Sequence, residues 1–197
     1  MEQYSCLRVF AISGYSTDGK PTITTATPFL AKGTNEKEIN NISCEMTPDV
    51  SKREYNADNL TEKDEVKKGY NGTVKFYGID KTAIDLISVN KKDSKGGIVL
   101  GADSDGAPKC VLFFQGKSEK GAAYNLWLYN VEFEDLPISS GQPSDSVKET
   151  SLGFYASGVQ YDGKTIFGMK IYSDDSRYVT PGTDPTADKL PMPEKSA

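Results

Sequence analysis

The sequence predicts a mainly β protein: a β-sandwich or barrel-like body with one short flanking α-helix and a long charged loop. Three observations lead there. Short apolar runs recur along the chain, punctuated by Gly, Asp, Ser and Lys clusters that suit turns. The 197 residues include eighteen glycines and eleven tyrosines, a composition that favours strands and tight connections. Only one stretch carries helical spacing.

In chain order, "SCLRVFAIS" (5–13) predicts a first strand, closed by the turn "GYSTDGKP". "TITTATPFLAK" (22–32) predicts a second, with Pro28 marking an edge or a bulge, since proline donates nothing to a ladder. "EINNISCEMT" (38–47) alternates more weakly. Residues 48–72, "PDVSKREYNADNLTEKDEVKKGYNG", are densely charged and nearly free of large aliphatics, and a loop of that length inside a compact body is functional or disordered. "TVKFYGI" (73–79) resumes the strand pattern. "DKTAIDLISVN" (80–90) predicts the helix, with Asp80 as N-cap and Ala83, Ile84 and Ile87 as its apolar stripe.

"APKCVLFFQGK" and "AYNLWLYNVEFEDL" predict the hydrophobic centre as an antiparallel hairpin. Period-two alternation places Trp127, Tyr129, Val131 and Phe133 on one face of the second strand and Tyr124, Leu126, Leu128 and Asn130 on the other. Both faces are apolar in its first half, so something must cover each: another layer of the same molecule, or another molecule. Asp162–Gly163 predicts a tight hairpin between "VKETSLGFYASGVQ" and "TIFGMKIYS", because such a turn demands positive φ. The expected domain spans 1–173, and 174–197, rich in Pro, Asp and Thr, is expected to be a flexible or extended tail.

A net charge of −5 argues against a general nucleic-acid-binding surface, which needs clustered Lys and Arg. Histidine is absent, which removes the commonest general base and most zinc sites. The carboxylate pairs Glu132/Glu134 and Asp174/Asp175 fit solvated edges. "GADSDGAPK" fails as a calcium loop: counted from Asp103, Pro108 and Phe114 stand where Gly and Glu are required. Cys6, Cys44 and Cys110 lack metal spacing and fit small buried hydrophobes of a reducing cytoplasm. The sequons at Asn41, Asn59 and Asn71 have meaning only in a secreted chain. The expectation is a protein that is not an enzyme and uses no cofactor or metal.

Three stretches carry a resemblance: "YNGTVKFYGIDKTAIDLIS" after the charged excursion, "GIVLGADSDGAPKCVLFFQGKSEKGAAYNLWLYNVEFEDLP", and "SVKETSLGFYASGVQYDGKTIFGMKIYSDD". In order and spacing they resemble the major tail proteins of long, non-contractile-tailed phages (siphophages), over roughly residues 5 to 175. The resemblance implies a structural virion protein, made in the bacterial cytoplasm, that self-assembles into stacked hexameric rings. Those rings form the tail tube through which the genome is ejected. It implies tape measure, tail tip and tail terminator proteins as partners, DNA passing through an acidic lumen without specific binding, and no membrane. It implies that the long loop reaches a neighbouring subunit or ring. Candidate contact residues are then Lys52, Arg53, Glu54, Lys63, Asp64, Glu65, Lys67 and Lys68, whose mixed signs could set register. Trp127 is a candidate for a subunit seam. The competing class is a monomeric β-sandwich binding module, an adhesin or carbohydrate-binding domain, which would display an exposed aromatic platform.

Overall fold

A computed structural model describes residues 6–24, 29–32, 42–57, 60–77, 86–88, 94–95, 108–117, 121–135, 149–181, 183 and 185–194. They are mainly β, as the composition predicts. In chain order the strands are β1 (Cys6–Tyr15), β2 (Pro21–Ile23), β3 (Phe29–Lys32), β4 (Ser43–Ala57), β5 (Leu60–Tyr77), β6 (Cys110–Lys117), β7 (Ala123–Phe133), β8 (Glu149–Ala156), β9 (Val159–Tyr161), β10 (Lys164–Ile166) and β11 (Gly168–Tyr172). A 3-10 turn, Ala187–Lys189, lies near the C-terminus. The expected helix falls outside the described residues except at Leu86–Ser88, where Leu86 and Ile87 have helical backbone and Ile87 is buried.

Nine strands join in one antiparallel sheet of order β2-β1-β6-β7-β8-β5-β4, with β3 also on β1 and β11 also on β7; β9 and β10 form a separate hairpin. The path is open, not a closed barrel. The expected second strand is two: β2 and β3 pair with different stretches of β1. The Asp162–Gly163 turn stands as expected, at φ 49° and 73°, between β9 and β10.

The sheet divides at Asn130. On one side of β7, β11 pairs with Tyr124–Leu128 and β8 with Val131–Phe133, so two strands share one edge and diverge between them. Asn130 sits at φ 49°, a left-handed conformation that asparagine tolerates better than most residues. Opposite it the β6–β7 register shifts between Cys110 and Leu112, the signature of a β-bulge. Its side-chain amide donates to the Gly158 carbonyl at 2.6 Å and accepts from the Tyr15 hydroxyl.

The bulge corrects the predicted face assignment. An extra residue reverses the period-two phase, so Val131 and Phe133 do not share a side with Trp127 and Tyr129. They join Leu126 and Leu128 in one core, with Leu7, Val9, Val74, Phe76, Leu112 and Phe154, enclosed between the two arms of the divided sheet. Trp127 and Tyr129 belong to a second core on the opposite side, with Phe10, Phe113, Val159 and Ile171.

What covers this second face is the chain's own C-terminal segment. Val179 and Leu190 are buried on it, with Tyr178, Ala187 and Met192 packed alongside. Sheet side chains hold this strap by its main-chain carbonyls. Gln115 and Asn125 both donate to the Val179 carbonyl, at 2.7 and 3.2 Å, and the Tyr129 hydroxyl donates to that of Pro191. Burial pushes the Tyr129 phenol up, further securing it as a donor. Arg177 donates to the Met192 carbonyl at 2.9 Å and pairs with Asp175 at 2.7 Å. The described part of the expected flexible or extended tail thus packs on the sheet, where a few anchors hold it because the sheet supplies the rest of the core.

Candidate functional site

Of residues 48–72, expected as a loop, those described (48–57 and 60–72) instead belong to two long antiparallel strands paired with each other. β4 and β5 pair from Ser43↔Lys75 to Ala57↔Leu60, with one register shift between Asp49 and Val50. The support from the rest of the sheet ends sooner, since β8 pairs with β5 only over Tyr70–Tyr77. Past that point Val50–Ala57 and Leu60–Lys67 pair only with each other among the described strands, as an eight-pair, two-stranded arm. At about 3.3 Å per residue it extends roughly 25 Å beyond the body. The charge pattern hides the strand because β4 and β5 have no apolar core to face along the arm, so the usual alternation is missing.

The base of the arm is built. The register shifts between Asp49 and Val50, leaving Lys68 as the extra residue of a bulge, where the pairing with β8 gives out. The Tyr155 hydroxyl donates to the Lys68 carbonyl at 3.2 Å, and its ring packs over buried Gly69. A Cβ at Gly69 would meet the Tyr155 ring and the Ala156 carbonyl at 2.6 Å, so only glycine allows this closure. The Tyr155 phenol is shifted up by desolvation, then by the charge of Asp49. On the other side Lys67 Nζ donates to the Tyr70 hydroxyl at 3.0 Å, and Tyr70 meets Phe167 edge-on at 5.8 Å. Bulges increase local twist, so this device re-aims the arm as it leaves the sheet.

Of the charged residues singled out from sequence, Lys52 and Glu65 form an exposed ion pair at 3.2 Å. The register sets Arg53 across from Asp64 and Glu54 across from Lys63. Lys67 and Lys68 belong to the base. The register thus brings the candidates onto paired strands, and the described ion pair, Lys52–Glu65, is exposed and contributes about 0–1 kcal/mol. Trp127 is elsewhere. It is fully buried in the second core, 4.7 Å from Phe113 and 5.6 Å from Phe10 between ring centroids, and a seam position does not fit that burial.

Two further features escaped sequence reading. β4 is the last strand of the sheet, so the outer edge of its fifteen residues has no strand partner among those described. Pro48 sits on that edge strand, where a missing donor is tolerated. The outer face of β4, β5 and β8 is polar, with an open groove of about 630 Å³ lined by Glu45, Thr47, Asn71, Thr73, Glu134 and Ser151. Met46 and Phe154 also line it; its hydroxyls and the Asn71 amide can hydrogen-bond water, and its two carboxylates, Glu45 and Glu134, would repel phosphate. Glu132 pairs with Lys109 at 3.5 Å, both side chains at least a third exposed, as a solvated edge predicts. The sequon residue Asn71 is exposed on this face; Asn41 and Asn59 lie outside the described residues, as does Gly101–Ala107 of the failed calcium loop. Among the described residues no cluster of His, Cys, Asp and Glu could hold a metal, and no helix is long and apolar enough to cross a membrane. Cys6 and Cys110 are buried, and burial, with Glu45 adding to it, pushes the Cys44 thiol up to about 12, which leaves it a protonated, unreactive group.

No family model matches the chain, and no curated protein matches it in sequence.

Proposed function

We propose that the chain is a tail-tube subunit of a long, non-contractile phage tail, a structural protein that self-assembles into stacked rings. The observation that carries this reading is the arm. A two-stranded ribbon is marginal in water by itself, and here eight pairs of it leave the body from a purpose-built bulge. A segment of that shape acts by engaging something beyond its own domain. The unpartnered outer edge of β4 adds a second place where a neighbour can complete the sheet, and closed rings satisfy such edges. The polar outer face with Glu45, Asp49, Glu132 and Glu134 suits a lumen along which DNA slides without adhering.

The test is electron microscopy of the concentrated protein, with its mass in solution by light scattering, beside a chain lacking Ser51–Lys67. Rings or hollow tubes from the full chain and none from the deletion support the reading. A monomer at every concentration that binds a glycan would overturn it in favour of a carbohydrate-binding module. Full-length tubes from the deletion would remove the arm from the mechanism.

A further inference from the structure

The arm leaves the body where β8 stops. β8 pairs with β5 as far as Tyr70↔Ala156 and then turns away, the Ser157 and Gly158 amides donating to the Asn130 and Tyr129 carbonyls of β7. Beyond Tyr70, only β4 pairs with β5 among the described strands. One side chain of β8 extends its hold past that limit. Tyr155, paired with Asn71, reaches diagonally across to Gly69, and its hydroxyl donates to the Lys68 carbonyl at 3.2 Å. β8 thereby makes one more contact to the main chain of β5 than its own backbone allows. It makes that contact to the bulged residue itself, at a place where a strand pair bends.

The hold depends on a single proton. The ring has its seat because Gly69 is vacant beneath it. Asp49 Oδ2 lies 3.5 Å from the hydroxyl as a second acceptor, and the raised phenol keeps the proton that either acceptor needs. The other described link across the base, from Lys67 to the Tyr70 hydroxyl, comes from an exposed lysine whose flexible stem restrains direction weakly. We infer that the Tyr155 hydroxyl is the latch that sets the direction of the arm. With its bond to Lys68 the ribbon projects at one angle, and without it the ribbon swings about the bulge while the body stays folded. Tyr155 is in this sense a positioning residue, which spares any contact of the arm the cost of ordering it. The inference stands on the base of the hairpin and does not rest on the self-assembly reading.

The experiment measures distances in the full-length chain by time-resolved energy transfer. The donor is Trp127, the sole tryptophan and a buried point of the body, and the acceptor is a thiol-coupled dye on Thr61→Cys, far along the arm. Cys6 and Cys110 are buried and the Cys44 thiol stays protonated, so the dye goes to the new cysteine. Dilute solution, with light scattering confirming the single subunit, keeps the transfer within one chain. From Lys68 to Thr61 is about 23 Å of strand, so a swing of about 12° moves the dye by about 5 Å. The parent chain should give one narrow distribution of distances. Tyr155→Phe keeps the ring over Gly69 and removes only the hydroxyl, and should broaden the distribution by about 5 Å or more. It should melt within about 4 °C of the parent, since one hydrogen bond at the surface is lost. Asp49→Ala should leave the distribution narrow, because the Lys68 carbonyl remains as acceptor. A Tyr155→Phe distribution as narrow as the parent's overturns the inference, as does a parent that is already broad. Equal broadening by Asp49→Ala would place the hold at the carboxylate and overturn it too. So would an early melt of Tyr155→Phe, which would show the hydroxyl holding the body and not the arm.

Discussion

Replacing Trp127 by alanine should be among the most damaging single changes in the protein. The indole is fully buried, tilted against Phe113 at 64° and stacked on Phe10 at 30°. Truncating a buried tryptophan costs about 3–5 kcal/mol, and two aromatic contacts place this site toward the upper end. For a chain of this size that lowers the melting temperature by roughly 6–20 °C. Trp127→Phe separates packing from hydrogen bonding. The indole Nε1 has no acceptor among the described residues, so phenylalanine forfeits no bond and should cost under about 1.5 kcal/mol. Denaturant titration measures both differences, and the wild-type indole reports on its own burial. Its native emission should lie well to the blue of the unfolded chain, resist quenching by acrylamide, and stay unchanged when subunits assemble. An alanine variant losing less than about 1 kcal/mol, or an emission that shifts on assembly, would refute the placement of Trp127 inside its own subunit.

The hub at the sheet division allows a second test. Asn130→Ala should cost about 2–3 kcal/mol, combining left-handed strain with loss of the bonds to Gly158 and Tyr15, whereas Asn130→Gly should cost about 1 kcal/mol because only the bonds are lost. Equal losses, measured by urea unfolding, would mean that φ at this residue is not what matters. The strap offers a third, through pH. Hydrogen bonds from Arg177 hold the Asp175 carboxyl down to about 2 from an ordinary 3.8. A depressed carboxyl stabilises the fold fully above its unfolded value and loses that contribution as pH falls through its folded one. Protection factors of amides near Tyr178 and Val179, taken relative to the intrinsic exchange rate at each pH, should therefore fall between about pH 4 and pH 2, and Asp175→Asn should abolish that fall. Protection that does not change over this range in the wild type would show that the pair does not fasten the strap.

Much of the body was legible because its strands face a core. The continuous apolar runs at Cys110–Phe114 and Leu126–Tyr129 announce strands covered on both faces, and the structure covers both. Asp162–Gly163 announced its turn because few dipeptides adopt positive φ so readily. Legibility failed where the physical cause is not local. The phase of Val131 and Phe133 depends on a bulge, and a single asparagine within a strand pattern does not disclose one. β4 and β5 extend through a charged segment because they pair with each other, which needs no apolar alternation at all. The charged candidates stand on two paired strands, an arrangement that their charge pattern did not disclose.

By itself the sequence determined the mainly β class of the fold, its principal strands and the apolar demand on both faces of β7. These follow from side-chain hydrophobicity and turn stereochemistry, which act over a few residues. Tertiary structure alone decided what meets that demand. Gln115, Asn125 and Tyr129 capture the carbonyls of a strap more than fifty positions away in the chain, and Asn130 divides the sheet so that two cores can form. It also decided that the described part of the charged excursion is a two-stranded ribbon, because pairing between two strands is a property of both and not of either sequence alone.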